Sequence, residues 1–131
     1  MEPTHQELAS RRCIACEGDV RRLGPQDVQH YIRALPGWVV INDGARIRRE
    51  LLVKDFATAL EYLVRIGSVA DAAGHHPDLH ITRYRHVVIE LWTHAADGLT
   101  ENDFILAAKI DALPVELYRG RGGRFTTHPA P

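Results

Sequence analysis

The run Gly74-His75-His76-Pro77-Asp78, followed further on by Thr93-His94, holds the side chains of this protein best suited to chemistry. Histidine has an unperturbed pKa of about 6.5, so it can both give and take a proton near neutrality, and its neutral ring binds metals. The chain has eight histidines, and His75, His76, His80, His86 and His94 lie close together along it. Imidazoles converging on one pocket would serve acid/base catalysis or a metal site. A site built from His75, His76, His80, His94 and Asp78 is the metal alternative, but adjacent histidines before a proline make poor convergent ligands, and no metal is expected. Taken alone, a strand-end histidine such as His94 is more often structural than catalytic.

Local sequence signals indicate the elements that position these residues. Residues 1–24 lack clear periodicity and read as an arm that drapes over the domain or stays mobile. Pro25 suits the first turn of a helix, and Val28, Tyr31, Ile32 and Leu35 recur at helical spacing until Pro36-Gly37 stops it. Residues 38–41 and 47–53 are rich in β-branched side chains and flank Asn42-Asp43-Gly44, a hairpin signal. Asp55 reads as the N-cap of a long helix with apolar positions Phe56, Leu60, Leu63, Gly67 and Ala70, ending at Gly74. Pro77 biases His76 toward extended backbone, so the histidine pair should sit where helix turns into strand.

Residues 79–84 and 87–94 read as two extended segments. The second carries Val87, Ile89 and Leu91 on one face and Val88, Glu90, Trp92 and His94 on the other, so that His94 closes the last strand. Thr100 with Asp103 resembles a capping box, opening a final helix through Phe104, Ala107, Ala108 and Asp111 toward Leu113-Pro114. The order α-β-β-α-β-β-α predicts an α+β domain, a four-stranded antiparallel sheet with helices packed on one face. Its expected limits are residues 25–118, after the N-terminal arm at 1–24 and before a flexible, glycine- and arginine-rich tail at 119–131.

Composition narrows the function. The chain has 131 residues and 45% hydrophobic content, enough for one domain with a core. A formal net charge of -1 offers no broad basic field for nucleic acid or an anionic membrane, which favours small neutral ligands or other proteins as partners. No apolar run approaches the roughly 20 residues of a membrane span, and residues 1–10 are polar rather than signal-like, so the expected compartment is the cytoplasm. Cys13 and Cys16 form a C-x-x-C spacing without a second ligand pair, and Glu17-Gly18-Asp19 looks like a turn. A reduced thiol pair is favoured over zinc or redox work.

These residues resemble a known family. His75-His76-Pro77, Thr93-His94, Gly98-Leu99, Asp103 and the closing Leu106-Ala107-Ala108-Lys109-Ile110-Asp111 are similar to the pterin-4a-carbinolamine dehydratases. The likeness extends upstream to Leu35-Pro36-Gly37-Trp38, Phe56 and Asp71. It implies a cofactor-free lyase that removes water from the 4a-carbinolamine of a tetrahydropterin to give the quinonoid dihydropterin, a step that recycles tetrahydrobiopterin. Carried over by position, His75, His76 and His94 are catalytic, with Gly74, Trp92 and Thr93 beside them in the substrate site. The resemblance also implies homodimers joined at sheet edges and homotetramers paired through helices. The alternative it leaves is a non-catalytic dimerisation or assembly cofactor for other proteins on the same fold. Against the best-known animal members, the interval from His75 to His94 is one residue longer, which points to an extra residue or bulge within 81–86. Leu79 stands where an aromatic is common, and Gly74 replaces an acidic residue.

Dehydration needs a proton delivered to the departing 4a-oxygen and one removed from the adjacent ring nitrogen, which two imidazoles in opposite protonation states can do. His75 and His94 are the expected acid/base pair, with either order open. His76, extended before Pro77, should diverge from His75 and suits hydrogen bonding to the pterin. Asp103 is equally readable as a helix cap and as a site residue. Asp71 is readable either as orienting a histidine or as a solvated side chain. Trp38 and Trp92 read as packing residues before stacking ones. His80 and His86 read as surface or strand-packing residues.

Overall fold

Apolar side chains alternate along the two middle strands of a sheet, and that alternation builds the core. The computed structural model describes residues 3–14 and 21–120. In chain order these form α1 (His5–Ser10), α2 (Pro25–Ile32), β1 (Val39–Ile41), β2 (Arg46–Leu52), α3 (Phe56–Ala73), β3 (Asp78–Thr82), β4 (His86–Leu91), a 3-10 turn (His94–Ala96) and α4 (Glu101–Asp111). The strands make one antiparallel sheet in the order β1-β2-β4-β3, giving the expected α+β architecture with one further helix, α1. Cys16, the Glu17-Gly18-Asp19 segment and the tail beyond Gly120 lie outside the described residues.

On the inner face, Ile47 and Leu51 of β2 sit beside Val87, Ile89 and Leu91 of β4, all buried in one cluster with α3 and α4. The α3 boundaries follow the local signals. Asp55 accepts a hydrogen bond from the Thr58 N–H at 2.8 Å, and Gly74 closes the helix at φ +67°, a left-handed value that glycine adopts without a side-chain penalty. The buried stripe differs from the expected one. Ala59, Tyr62, Ile66 and Ala70 face the core, whereas Phe56 and Leu60, joined by Val64, form an exposed apolar row. Both stripes keep helical spacing, and only packing against the sheet distinguishes them. Burial pushes the Tyr62 hydroxyl up to about 12.

Two strand ends also differ from expectation. β4 stops at Leu91, so His94 opens a 3-10 turn rather than closing the strand, and Thr93 pairs with Gly98 across that turn. The 79–84 segment ends early as well, because β3 stops at Thr82 and turns in a tight hairpin to β4. Thr82 pairs with His86, while Arg83 and Tyr84 between them take positive φ values of 47° and 54°. Within the arm, α1 was not expected because a helix of this length shows almost no periodicity. Its one signal is Thr4, whose side chain accepts from the Glu7 N–H. Leu8 is fully buried, so the described part of the arm drapes over the domain.

The outer face of the sheet is polar. Glu90 of β4 accepts from Arg48 at 2.9 and 2.7 Å and from Arg46 at 3.1 Å, and Arg46 also lies 3.7 Å from Asp78 on β3. Burial opposes ionisation of Glu90, but the hydrogen bonds and charges of the two arginines outweigh it and hold its carboxyl below the usual carboxylate range. A depressed folded-state pKa gives stability that is present above the unfolded value, about 4.3, and is lost as the pH falls through the folded one. Acid should therefore lower the urea midpoint of the wild type more steeply than that of Glu90→Gln; equal slopes in the two proteins would refute this role of Glu90.

Candidate active site

Asp103, three residues into α4, is fully buried, and both of its oxygens are engaged. Oδ2 accepts from the Thr100 N–H at 3.0 Å and from the Thr93 hydroxyl at 2.8 Å; Oδ1 meets His75 Nε2 at 2.6 Å. The Thr93 and Thr100 hydroxyls are 2.9 Å apart. The two readings of Asp103 are thus compatible: one oxygen caps the helix while the other holds a histidine. A carboxylate only accepts, so with Asp103 in that form His75 Nε2 is the donor of this bond. His75 itself is only 6% exposed.

The elements explain why these groups meet. Gly74 ends α3 so that His75 turns inward, with its N–H bonded to the Ala70 carbonyl at 3.3 Å. His76, before Pro77, turns the other way, is exposed, and pairs through Nε2 with Asp71 Oδ1 at 2.9 Å. Thr93 lies just past the end of β4, so its bond to Asp103 brings His94, the next residue, to the same end of the sheet as His75. His94 is exposed, and its ring lies 3.9 Å from that of Trp92, tilted by 42°. The Arg46 guanidinium sits 4.4 Å from the Trp92 ring centroid and is itself tied to Glu90.

Trp92 thus contacts His94 and a cation, and Arg46 is a contributor to this region that sequence reasoning missed. Trp38 does not join the histidines. It is 3% exposed and donates from Nε1 to Asp111 Oδ1 at 3.0 Å, at the opposite end of α4. His86 packs on the outer sheet face, 3.0 Å from the Thr82 hydroxyl through Nδ1. Its Nε2 is 3.2 Å from Glu50 but poorly aligned for a hydrogen bond. His80 is exposed on β3. A cavity of about 590 Å³ lies elsewhere, lined by Arg12, Cys13, Val69, Ala73 and Lys109 among others, and no histidine borders it. Among the described residues no three histidine, cysteine or carboxylate side chains cluster as metal ligands would.

This fold, with a paired histidine after the long helix and a Thr-His step after the last strand, belongs to a defined class. The model of the family described as pterin 4 alpha carbinolamine dehydratase matches residues 21–113, and the chain belongs to that family. It is 42% identical over 113 residues to pterin-4-alpha-carbinolamine dehydratase 2, mitochondrial, of Arabidopsis thaliana. That alignment covers 84% of this chain and 60% of the plant protein, so the chain spans less than two thirds of that relative. A Gloeobacter violaceus protein, named there as a candidate dehydratase of the same kind, is 38% identical over 112 residues. It is matched over 96% of its length and 84% of this chain.

Among solved structures, a transcriptional coactivator/pterin dehydratase from Brucella melitensis superposes with a TM-score of 0.66 at 33% identity, covering 70% of this chain and 97% of that one. A pterin dehydratase-like protein identified as a RuBisCO assembly factor in the alpha-carboxysome is 19% identical, with a TM-score of 0.50 over 58% of this chain and 87% of that one. This second likeness concerns the fold alone.

The carboxylate partners of His75 and His76 should differ sharply on mutation. Asp103→Ala strips a buried histidine, a hydroxyl and a helix N–H of their shared acceptor and should cost about 3 kcal/mol in urea unfolding. Asp71→Ala breaks an exposed pair and should cost under about 1 kcal/mol. Equal losses would show that the carboxylate of Asp103 does not organise this end of the domain.

Proposed function

We propose that this protein is a hydro-lyase that dehydrates a 4a-hydroxytetrahydropterin to the quinonoid dihydropterin by histidine acid/base catalysis. The observation that carries this reading is the linkage of His75 and Thr93 through the two oxygens of Asp103, which puts His75 and His94 at one end of the sheet within the family-matched residues. His75 takes the role of base. Its imidazole accepts the proton on the pterin ring nitrogen next to C4a, and the Asp103 carboxylate against Nε2 stabilises the imidazolium so formed. The nitrogen lone pair released by that transfer forms the new carbon–nitrogen double bond as the C4a–oxygen bond breaks. His94, exposed against Trp92, delivers the proton with which the oxygen departs as water. Proton exchange with solvent resets both rings.

His76, held by Asp71 on the exposed side, suits hydrogen bonding to the flat substrate, with Gly74, Trp92 and Thr93 around the pair. No step calls for a cofactor, since nothing is oxidised. The same reading includes self-association: β1 and β3 are the open sheet edges, and Phe56, Leu60 and Val64 form an apolar row on α3 suited to a helix partner. No helix among the described residues is long and apolar enough to cross a membrane, and the cytoplasm is the compartment in which this reading sets tetrahydrobiopterin recycling.

Stopped-flow absorbance of chemically generated 4a-hydroxytetrahydropterin tests it. Wild type should accelerate its decay to the quinonoid form, with losses of about 10² to 10⁴ in His75→Ala and in His94→Ala. A folded wild type without effect on the decay would reject the enzyme and leave a fold that binds protein partners.

A further inference from the structure

The first turn of α4 is gripped from outside the family-matched residues. Asn102, only 3% exposed, binds the backbone of Ile14 reciprocally: Oδ1 accepts from the Ile14 N–H at 2.8 Å, and Nδ2 donates to the Ile14 carbonyl at 2.6 Å. The Cys13 thiol, 3.7 Å from the Asn102 carbonyl, donates to it, and Arg11 lies 3.5 Å from Glu101. Farther along, Lys109 donates to the Ala9 carbonyl at 2.7 Å, so the arm is fastened along the whole helix. The matched region begins at residue 21, and the arm lies before it.

The residue after Asn102 is Asp103, which holds His75. The first turn of a helix has N–H groups with no intrahelical partner and is where helices fray. Asp103 sits in that turn, and a small displacement of its backbone would move His75 by a similar amount. Misplacement of about 1 Å in a catalytic group can cost about 10²-fold in rate.

We infer that residues 8–14 and the Asn102 side chain form a clasp that sets the Asp103–His75 pair, making Asn102 a positioning residue for the acid/base step. The inference rests on the dehydratase reading, and its test separates the two. Full-length Asn102→Ala, Ile14→Pro and the double variant are compared with wild type. Ile14 is 69% exposed, so proline there removes the N–H without removing core packing. Two quantities are read: stopped-flow kcat and KM, and the ¹H NMR resonance of the His75 Nε2 proton, assigned by its disappearance in His75→Ala.

Each single variant should lose about tenfold in kcat with KM changed less than about twofold, and should shift or broaden the imidazole resonance. The double variant should lose no more than the worse single one, because both substitutions break the same contact. Folded variants that keep both kcat and the resonance would overturn the clasp. An inert wild type whose resonance still moves in both variants would uphold the clasp and remove the dehydratase reading instead.

Discussion

One buried carboxylate ties this end of the molecule together. An ionised group with no solvent exposure persists only if its lone pairs are filled, and Asp103 fills them with a backbone N–H, a hydroxyl and an imidazole drawn from three separate parts of the chain. Losing any one donor would leave charge uncompensated in a place that water does not reach. The N-terminus of α4, the end of β4 and the residue after α3 are therefore held in register by the requirement to satisfy one group. His75 takes its orientation from that requirement.

The neighbouring histidines differ because their local backbones differ. Gly74 turns His75 into the domain and Pro77 turns His76 out, so two adjacent and chemically identical side chains end in a buried and an exposed carboxylate pair. His94 has a third environment, against an indole that also contacts an arginine anchored by Glu90. Charge on the outer sheet face thus reaches the site through Trp92, which links a stability feature of the sheet to the placement of an exposed imidazole.

The signals that were legible were local. The long helix was readable at both ends because Asp55 and Gly74 act within a turn of their own positions, and His76 was readable as divergent because proline constrains its immediate predecessor. Thr100 and Asp103 were readable as a cap for the same reason. What failed was also local in kind. Two apolar rows on α3 keep helical spacing, and the chain alone does not say which meets a sheet; α1 is too short for a period to emerge.

By itself the sequence determined the α+β class, the hairpins, the long helix and the histidine pair at its end, since caps, turns and periodicity act over a few residues. The family likeness belongs with these, resting on side chains in a fixed order. Only the tertiary structure decided that Asp103 reaches back 28 residues to His75, that Arg46 lies over Trp92, and that Asn102 holds the backbone of Ile14 across 88 residues. The Arg46 contact depends on the β2–β4 register, which pairs Ile47 with Leu91, and a slip of one residue would put Arg46 on the other face. Register and long-range closure are settled by burial of the whole core, an energy summed over the domain that no short stretch of sequence encodes.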